Sequence, residues 1–440
     1  MNDVSPLRRA SGRLRFRAVD RAAQAVARVL EMDGEEAGRI FTRFDAARIM
    51  AAAAAVDAAP ELLEGPLAGL LVSIKDLFDE AGETTAAGSL HFRDAPAAAT
   101  DAVAVARLKA AGAVPFGRTA MSEFAYSGVG LNPHFGTPGN SRDPARIPGG
   151  STSGGALSVA LGLADVALGS DTGGSVRIPA AFNALAGFKP TQAKVPLDGA
   201  FALSGTYDSI GPLARDIRTC AAVHAVLSGE ARPQRTVREA GSLRVGVVRS
   251  VLAETVDDQV AADFDLALDA LRRAGVDLVD VDIPQLADAG AANRVIVAAD
   301  AHRIHEGHLD ALEIVGDPRV LKRIRAAEGF AEGEEAGARA RRAAAVTAFG
   351  DIARGFDAFV APTVAVVPPA IEAVEADFDR LNALVLRNPS AVNFLDGCAA
   401  TVPMSAATDL PTGLMIFGPG GSDWTVLAVA ALFEPLVKRR

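Results

Sequence analysis

Short apolar segments of strand length alternate with helical segments along most of this chain, and no other feature narrows the range of folds as far. Strands are predicted at 69–75, 113–116, 166–168, 243–248, 277–281, 358–360 and 413–417. Helices are predicted within 20–58 and at 102–111, 156–164, 257–274, 298–312, 332–354 and 425–433. Such alternation is typical of helices that cover both faces of one sheet. The sequence therefore predicts an α/β fold with a large, mixed but mostly parallel central sheet.

A charged, linker-like stretch at 229–241 interrupts this alternation. It could separate two domains or form a surface loop within one. Because the pattern of strands and helices resumes after it, we predict a single domain over 1–440. In this interpretation residues 242–440 complete the sheet that the first half begins.

The charge and composition of the chain argue against several classes of protein. A net charge of −10 disfavours a nucleic-acid binder, whose phosphate contacts need a basic surface. No stretch approaches the roughly 20 uncharged apolar residues of a membrane span, and arginines interrupt any apolar signal-peptide core near the N-terminus. Two distant cysteines, Cys220 and Cys398, fit buried thiols in a reducing compartment. A cytoplasmic protein is the expectation.

Patterns for metal and nucleotide binding are weak or absent. The histidines at 302, 305 and 308 are three residues apart. On a helix each such step rotates the side chain by about 60°, so the three rings should not converge on one ion. The phosphate-binding loop and the Gly-x-Gly-x-x-Gly fingerprint are missing, as is the Gly-x-Ser-x-Gly elbow of many serine hydrolases. We therefore predict neither a metal nor an organic cofactor.

Two turns rich in glycine and serine, 149–155 and 169–175, stand beside one lysine at a strand end. The hydroxyl of Ser175 could attack a carbonyl carbon. Only six of the 44 basic residues are lysine, and one of them, Lys75, ends an apolar strand. Burial there would lower its pKa and allow it to act as a neutral base, which an arginine cannot do.

The second turn also offers backbone donors for a developing oxyanion. Because two of its residues are glycines, their missing side chains let peptide N–H groups converge on one point. The candidate donors are Thr172, Gly173, Gly174 and Ser175. Together with the lysine and serine, this turn would complete a site for acyl transfer.

These motifs resemble the amidase signature family. The similarity rests on 148–155, 168–182 and 187–191, with flanking blocks at 65–76 and 208–215. It covers about 60–220 strongly, whereas the C-terminal half matches mainly at 409–415. The resemblance implies the amidase signature fold.

The resemblance also implies a catalytic triad of two serines and a lysine. Ser175 would be the acylated nucleophile, and Ser151 would bridge it to the base, Lys75. The peptide bond beside the bridging serine is typically cis in such enzymes. Ser151 is assigned by its spacing from Ser175, with Ser153 as the fallback; Thr152 stands where many members have a second serine.

Residues around the nucleophile are predicted to support it or to bind substrate. Asp171 and Arg177 flank Ser175 and are expected to hold its turn by an ion pair or hydrogen bonds. The loop after strand 113–116 is expected to contribute walls of the substrate pocket. The candidates for substrate binding are Phe124, Tyr126, Ser127 and Gly128.

The implied function is hydrolysis of a small carboxamide through an acyl-Ser175 intermediate, giving a carboxylate and ammonia or an amine. Three alternatives stay open: the glutaminase-type component of a tRNA-dependent amidotransferase, an allophanate or urea-type amidohydrolase, and an inactive scaffold of the same fold. The partner is expected to be the amide substrate alone, with no nucleic acid or membrane. A homodimer is the commonest assembly of soluble enzymes and also stays open.

Overall fold

A computed structural model of the protein describes residues 17–231, 239–404 and 410–438. The arginine-rich N-terminus, most of the linker-like stretch and Asp409 of the C-terminal motif lie outside these ranges. We number strands and helices in chain order.

One mixed sheet of eleven strands runs through the described residues. The strands are β1 (Phe41–Arg43), β2 (Leu71–Lys75), β3 (Val114–Thr119), β4 (Val166–Ser170), β5 (Ala186–Lys189), β6 (Ile210–Ala214), β7 (Arg244–Val248), β8 (Asp277–Val281), β9 (Ala358–Pro362), β10 (Cys398–Pro403) and β11 (Gly413–Gly418). Their spatial order is β1-β3-β2-β4-β6-β5-β10-β11-β9-β7-β8. Since β5 pairs with β10, strands from both halves of the chain join in this sheet; the division into domains stays a prediction.

The prediction of a mostly parallel sheet was wrong. Parallel pairing joins β2 to β3 and β4, and β7 to β8 and β9. The pairs β1/β3, β4/β6, β5/β6, β5/β10, β10/β11 and β9/β11 are antiparallel. The reason lies in the connections, because parallel neighbours need a crossover of a dozen or more residues, usually a helix. The connection 190–209 between β5 and β6 contains no helix, and the connection 404–412 is too short for a helical crossover.

Helices flank the sheet, as predicted. They are α1 (Ala18–Glu31), α2 (Gly34–Ile40), α3 (Ala46–Ala58), α4 (Pro60–Leu63), α5 (Val103–Ala110), α6 (Ser153–Ala160), α7 (Arg177–Phe182), α8 (Ile217–Ser228), α9 (Asp258–Arg273), α10 (Ala289–His305), α11 (Leu309–Val315), α12 (Pro318–Arg325), α13 (Glu334–Ala353), α14 (Ile371–Ala376), α15 (Phe378–Phe394) and α16 (Asp423–Val437). None of them is both long and apolar enough to cross a membrane.

Strand β5 shows that helices lie on both faces. A Cβ on Gly187 would touch Ala180 of α7, whereas the ring of the next residue, Phe188, contacts His224 of α8. Successive strand residues point to opposite faces, so α7 and α8 cover opposite sides of the sheet.

Two of the parallel strands position the candidate site. β2 and β4 run side by side, with Ile74 in register with Leu168, and every residue of both strands is buried. The carboxyl ends of parallel strands meet at one edge of a sheet, where open α/β sheets bind their ligands. Lys75 and Ser170, the last residues of these strands, therefore lie together.

Candidate active site

Lys75 is fully buried at the end of β2 and is held by two hydroxyl groups. Its Nζ donates to Ser151 Oγ at 2.7 Å and to Ser170 Oγ at 2.9 Å. Burial lowers the pKa of Lys75 from 10.5 to about 7, although the negative charges of Asp171 and Asp208 act in the opposite direction. The lysine can therefore gain and lose a proton near neutral pH.

Ser151 lies at the entrance to α6, immediately after a cis peptide bond between Gly150 and Ser151. The predicted cis bond is thus present. Only glycine fits at position 150, because a Cβ there would lie 2.6 Å from the Gly130 nitrogen. Ser153, the fallback, instead donates to the carbonyl of Ala120 at 3.3 Å. The contact with Lys75 therefore favours Ser151.

Ser175 lies in the turn between β4 and α7 and lines a cavity of about 700 Å³. Thr172 and Gly173 line the same cavity. No described residue accepts a hydrogen bond from the backbone N–H groups of Thr172, Gly173 or Ser175. These three groups are free to bind an oxyanion.

The prediction for Gly174 is corrected by the structure. Its N–H donates to Asp171 Oδ1 at 2.8 Å, so it is already bonded within the turn. Gly174 has φ of 127°, and a Cβ there would lie 2.6 Å from Pro389 Cβ. The glycine therefore serves close packing of the turn.

Asp171 and Arg177 form an ion pair beneath the nucleophile, and both side chains are fully buried. Arg177 Nε and Nη2 donate to the two carboxylate oxygens at 3.0 and 2.9 Å. Asp171 also accepts hydrogen bonds from the backbone N–H of Val176 and from Asn393 Nδ2. Burial alone would raise the pKa of Asp171, but Arg177 and these donors hold it well below its usual range.

Two residues near the site were missed by the sequence reasoning. Ser170 bonds Lys75, a contact that follows from the adjacent ends of β2 and β4. Asp208 is buried and accepts hydrogen bonds from Thr172 Oγ1 at 2.6 Å and from the Leu203 N–H at 2.8 Å. Burial raises the pKa of Asp208, and these donors oppose the rise. Its position at the start of the 208–215 block was the available signal.

The structure separates the four candidate substrate residues. Tyr126 and Ser127 line the cavity beside Ser175, whereas Phe124 and Gly128 do not. The ring of Phe124 packs in the core against Phe201 and His305, with centroids 5.7 and 4.2 Å away. The Gly128 N–H is bonded to Asn382 Oδ1 at 2.9 Å. The substrate-binding assignment of Phe124 and Gly128 is therefore corrected.

Three helices from the second half of the chain complete the cavity walls. They are α10, α12 and α15, and their lining residues include Asn293, Arg294, Arg323, Asn382 and Arg387. The sequence reasoning placed none of these in the site.

The histidines at 302, 305 and 308 do not converge. His302 lies beside Glu328, the ring of His305 packs against Phe124, and His308 contacts His91. Among the residues that the structure describes, no group of three or more His, Cys, Asp or Glu side chains could hold a metal ion. Cys220 and Cys398 are both buried with free thiols.

Comparison with known proteins identifies the family. The amidase family profile matches residues 24–427. The chain is 32% identical to the 2-amino-5-chloromuconic acid deaminase of Comamonas testosteroni, over 90% of this chain and 88% of that protein. It is 31% identical to a glutamyl-tRNA(Gln) amidotransferase subunit of Halobacterium salinarum, over 84% of this chain and 96% of that one. A solved amidase structure superposes with a TM-score of 0.84 at 30% identity, covering 96% of this chain and 95% of that one. The chain therefore belongs to the amidase signature family of hydrolases, which cleave C–N amide bonds.

Proposed function

We propose that this chain hydrolyses a small carboxamide through an acyl-Ser175 intermediate, releasing a carboxylate and ammonia or an amine. The observation that carries the proposal is the 2.7 Å hydrogen bond between the fully buried Lys75 and Ser151. Burial lowers the pKa of Lys75 to about 7. A base whose pKa lies near the working pH is the most effective proton acceptor and donor.

The acylation step begins with neutral Lys75. It takes a proton from Ser151 as Ser151 takes one from Ser175, and the Ser175 oxygen forms a bond to the amide carbon. The negative charge on the carbonyl oxygen is held by the N–H groups of Thr172, Gly173 and Ser175. The proton then returns through Ser151 to the amide nitrogen, and the C–N bond breaks to release ammonia or an amine.

Deacylation repeats the proton relay with water. A water molecule gives a proton through Ser151 to Lys75 as its oxygen bonds to the acyl carbon. The bond between that carbon and Ser175 then breaks, and the serine recovers its proton. The product is the carboxylic acid, which ionises, and neither step calls for a metal or an organic cofactor.

A second candidate function is glutamine hydrolysis as one component of a tRNA-dependent amidotransferase. It is favoured by the 31% identity to the amidotransferase subunit of Halobacterium salinarum, of which the match covers 96%. A free-standing amidase would act without a partner protein. We keep cytoplasmic location, a single domain over 1–440 and a homodimer as predictions.

The test uses the purified chain alone. Ammonia release is measured with short aliphatic and aryl carboxamides, monoamides of dicarboxylic acids, allophanate and glutamine, with Ser175→Ala as the matched control. Quenched samples are searched by mass spectrometry for an acyl group on the peptide containing Ser175. Turnover of simple amides with this adduct supports the proposal, and turnover of glutamine alone favours the amidotransferase function. A folded wild-type chain that cleaves none of them would refute the proposal and favour an inactive scaffold.

A further inference from the structure

The substrate cavity is lined by an excess of positive charge. We propose that its substrate is a monoamide that carries a carboxylate and no ammonium group, and that Arg387 and Arg294 bind this carboxylate. The inference rests on the proposed function, because it names the substrate class of the same cavity.

Helix α15 places Arg387 in the cavity that contains the nucleophile. Arg177 Nη1 donates to the carbonyl of Pro389 at 2.9 Å, which ties α15 to the helix that follows Ser175. One face of α15 lines the cavity through residues at the spacing of three and four that a single helix face requires. These residues are Asp379, Asn382, Ala383, Leu386, Arg387, Ser390 and Ala391.

The ionic side chains of the cavity differ in sign from the protein as a whole. The chain carries a net charge of −10, yet the charged side chains among the described lining residues are the cations Arg294, Lys322, Arg323 and Arg387 and one acid, Asp379. Lys322 Nζ lies 2.6 Å from Asp379 Oδ2, so these two charges offset each other. Three guanidinium groups remain.

Arg387 is half-buried and makes hydrogen bonds to neutral groups only. Its Nε donates to Asn388 Oδ1 at 3.0 Å and its Nη1 to the Thr255 carbonyl at 3.4 Å. Its Nη2 is buried and has no hydrogen-bond partner in the described part of the chain. Glu254 acts on Arg387 electrostatically, but the hydrogen bonds of Arg387 go to neutral acceptors. A buried cationic donor without a partner is unfavourable, and a carboxylate ligand would supply the acceptor that Nη2 lacks.

Arg294 lies on the adjoining wall formed by α10. Its side chain is exposed and makes no hydrogen bond or ion pair with any residue in 17–231, 239–404 or 410–438. The preceding residue, Asn293, donates through Nδ2 to the Ser390 carbonyl of α15 at 2.8 Å. This bond joins the two helices next to Arg294 and one turn from Arg387, and both arginines line the same cavity.

The third guanidinium, that of Arg323, is already engaged. Its Nη1 donates to the Tyr126 carbonyl at 2.5 Å, and its Cζ lies 4.1 Å from the centroid of the Tyr126 ring. It therefore contributes positive charge to the cavity but holds Tyr126 in place.

The substrate is proposed to carry no ammonium group because the acid in the described cavity wall is already paired with a lysine. Asp379 is the acidic residue among the described lining residues, and it is paired with Lys322. The ammonium group of an amino acid such as glutamine would meet no unpaired carboxylate among the described residues that line the cavity. The cavity therefore favours an anionic amide over a zwitterionic one.

The experiment compares amides of equal shape and different charge. The probes are the monoamides of the C3 to C6 dicarboxylic acids, each beside a neutral amide in which an isopropyl group replaces the carboxylate. Glutaramate is also compared with glutamine. We measure kcat/KM by ammonia release with the wild-type chain and binding by calorimetry with Ser175→Ala.

We expect the carboxylate amide of the best length to exceed its neutral partner by about 10- to 100-fold, the worth of a charge-assisted hydrogen bond. Arg387→Gln should remove most of this preference, because the carboxylate amide should lose far more of its kcat/KM than the neutral amide loses. Arg294→Gln, at an exposed position, should reduce it less and provides the test if Arg387→Gln does not fold. Arg380→Gln is the matched control, because Arg380 lies on α15, is exposed and pairs with Asp377.

Three results would overturn the inference: equal turnover of charged and neutral amides at every length, better turnover of glutamine than of glutaramate, or equal loss for both amides in Arg387→Gln. The calorimetry separates this inference from the proposed function. Preferential binding of the carboxylate amide to Ser175→Ala, with no turnover of any amide by the wild type, would refute the proposed function and support only the binding of a carboxylate by the cavity. Efficient turnover of amides without any preference for a charged one would support the proposed function and refute the substrate class.

Discussion

Replacement of Lys75 by arginine separates a base from a permanent cation at the same position. The wild-type lysine is fully buried and its pKa is lowered to about 7. A guanidinium group keeps its proton at every pH at which the protein is folded. Arginine could still donate hydrogen bonds to Ser151 and Ser170, so Lys75→Arg keeps these donors but fixes the positive charge and removes the ability to accept a proton.

The size of the effect follows from the pKa. At pH 8 a lysine with a pKa of about 7 is roughly nine-tenths neutral, whereas the neutral fraction of an arginine is below about one in ten thousand. General base catalysis contributes about 10²- to 10⁴-fold. We therefore expect kcat/KM of Lys75→Arg to fall by at least about a hundredfold.

The assay is ammonia release over a range of pH values, with the carboxamide that the wild type cleaves best. The wild-type kcat/KM should decline below pH 7 and reach about one hundredth of its plateau at pH 5. Turnover by Lys75→Arg within tenfold of the wild type, or a wild-type rate that stays level down to pH 5, would refute the role of Lys75 as base.

Lys75→Met controls for the larger volume of arginine in a buried site. Methionine is about as long as lysine and carries no charge, so Lys75→Met should lose as much activity as Lys75→Arg.

The same variant tests the lowered pKa through stability. The folded-state pKa of Lys75 lies below its unfolded value of 10.5. The unfolded chain therefore binds more protons between about pH 7 and 10.5, and the stability of the wild type rises with pH in this range. The melting temperature of Lys75→Met should exceed that of the wild type most below pH 7, and this advantage should shrink as the pH rises.

Three further substitutions test other parts of the site. Ser175→Ala should abolish turnover and the acyl adduct at an unchanged melting temperature, and residual acylation would exclude Ser175 as nucleophile. Asp171→Asn should leave Arg177 as an unpaired buried cation and destabilise the protein by about 3 to 5 kcal/mol in urea unfolding; a loss below about 1 kcal/mol would contradict the structural role of the pair. Ser170→Ala removes an acceptor that favours the charged form of Lys75, so the acid limb of the pH profile should move to lower pH; an upward shift would contradict this.

The fold was predictable wherever local pattern and final structure agree. The predicted strand at 277–281 coincides with β8, and the predicted strand at 243–248 differs from β7 by one residue. β6 was missed because Pro212 lies within it, and proline argues against an inner strand. α15 was missed because Pro389 interrupts it, in a segment, Arg-Asn-Pro-Ser, that has the composition of a turn. In both cases pairing and packing outweigh the local preference.

The candidate site was predictable to the extent that its residues lie in contiguous motifs. Lys75, Ser151 and Ser175 each stand in a distinctive segment, and the contact between the first two is present in the structure. Arg294 and Arg387 stand alone in helices more than a hundred residues further along the chain, and nothing local marks them as cavity residues. Their role depends on the tertiary packing of α10 and α15.

Two buried cations of the site, Arg177 and Lys75, differ in role because they differ in chemistry. Arg177 makes a bidentate contact with Asp171 and so offsets a carboxylate whose charge would otherwise raise the pKa of Lys75 further. Lys75 has hydroxyl partners instead, and such neutral partners leave desolvation as the dominant effect on its pKa. Neither residue type could take the place of the other. An arginine at position 75 could not accept a proton, and a lysine at position 177 could not bind both oxygens of Asp171. In a chain that uses arginine for nearly all of its cations, a lysine at position 75 is thus required by the chemistry we propose.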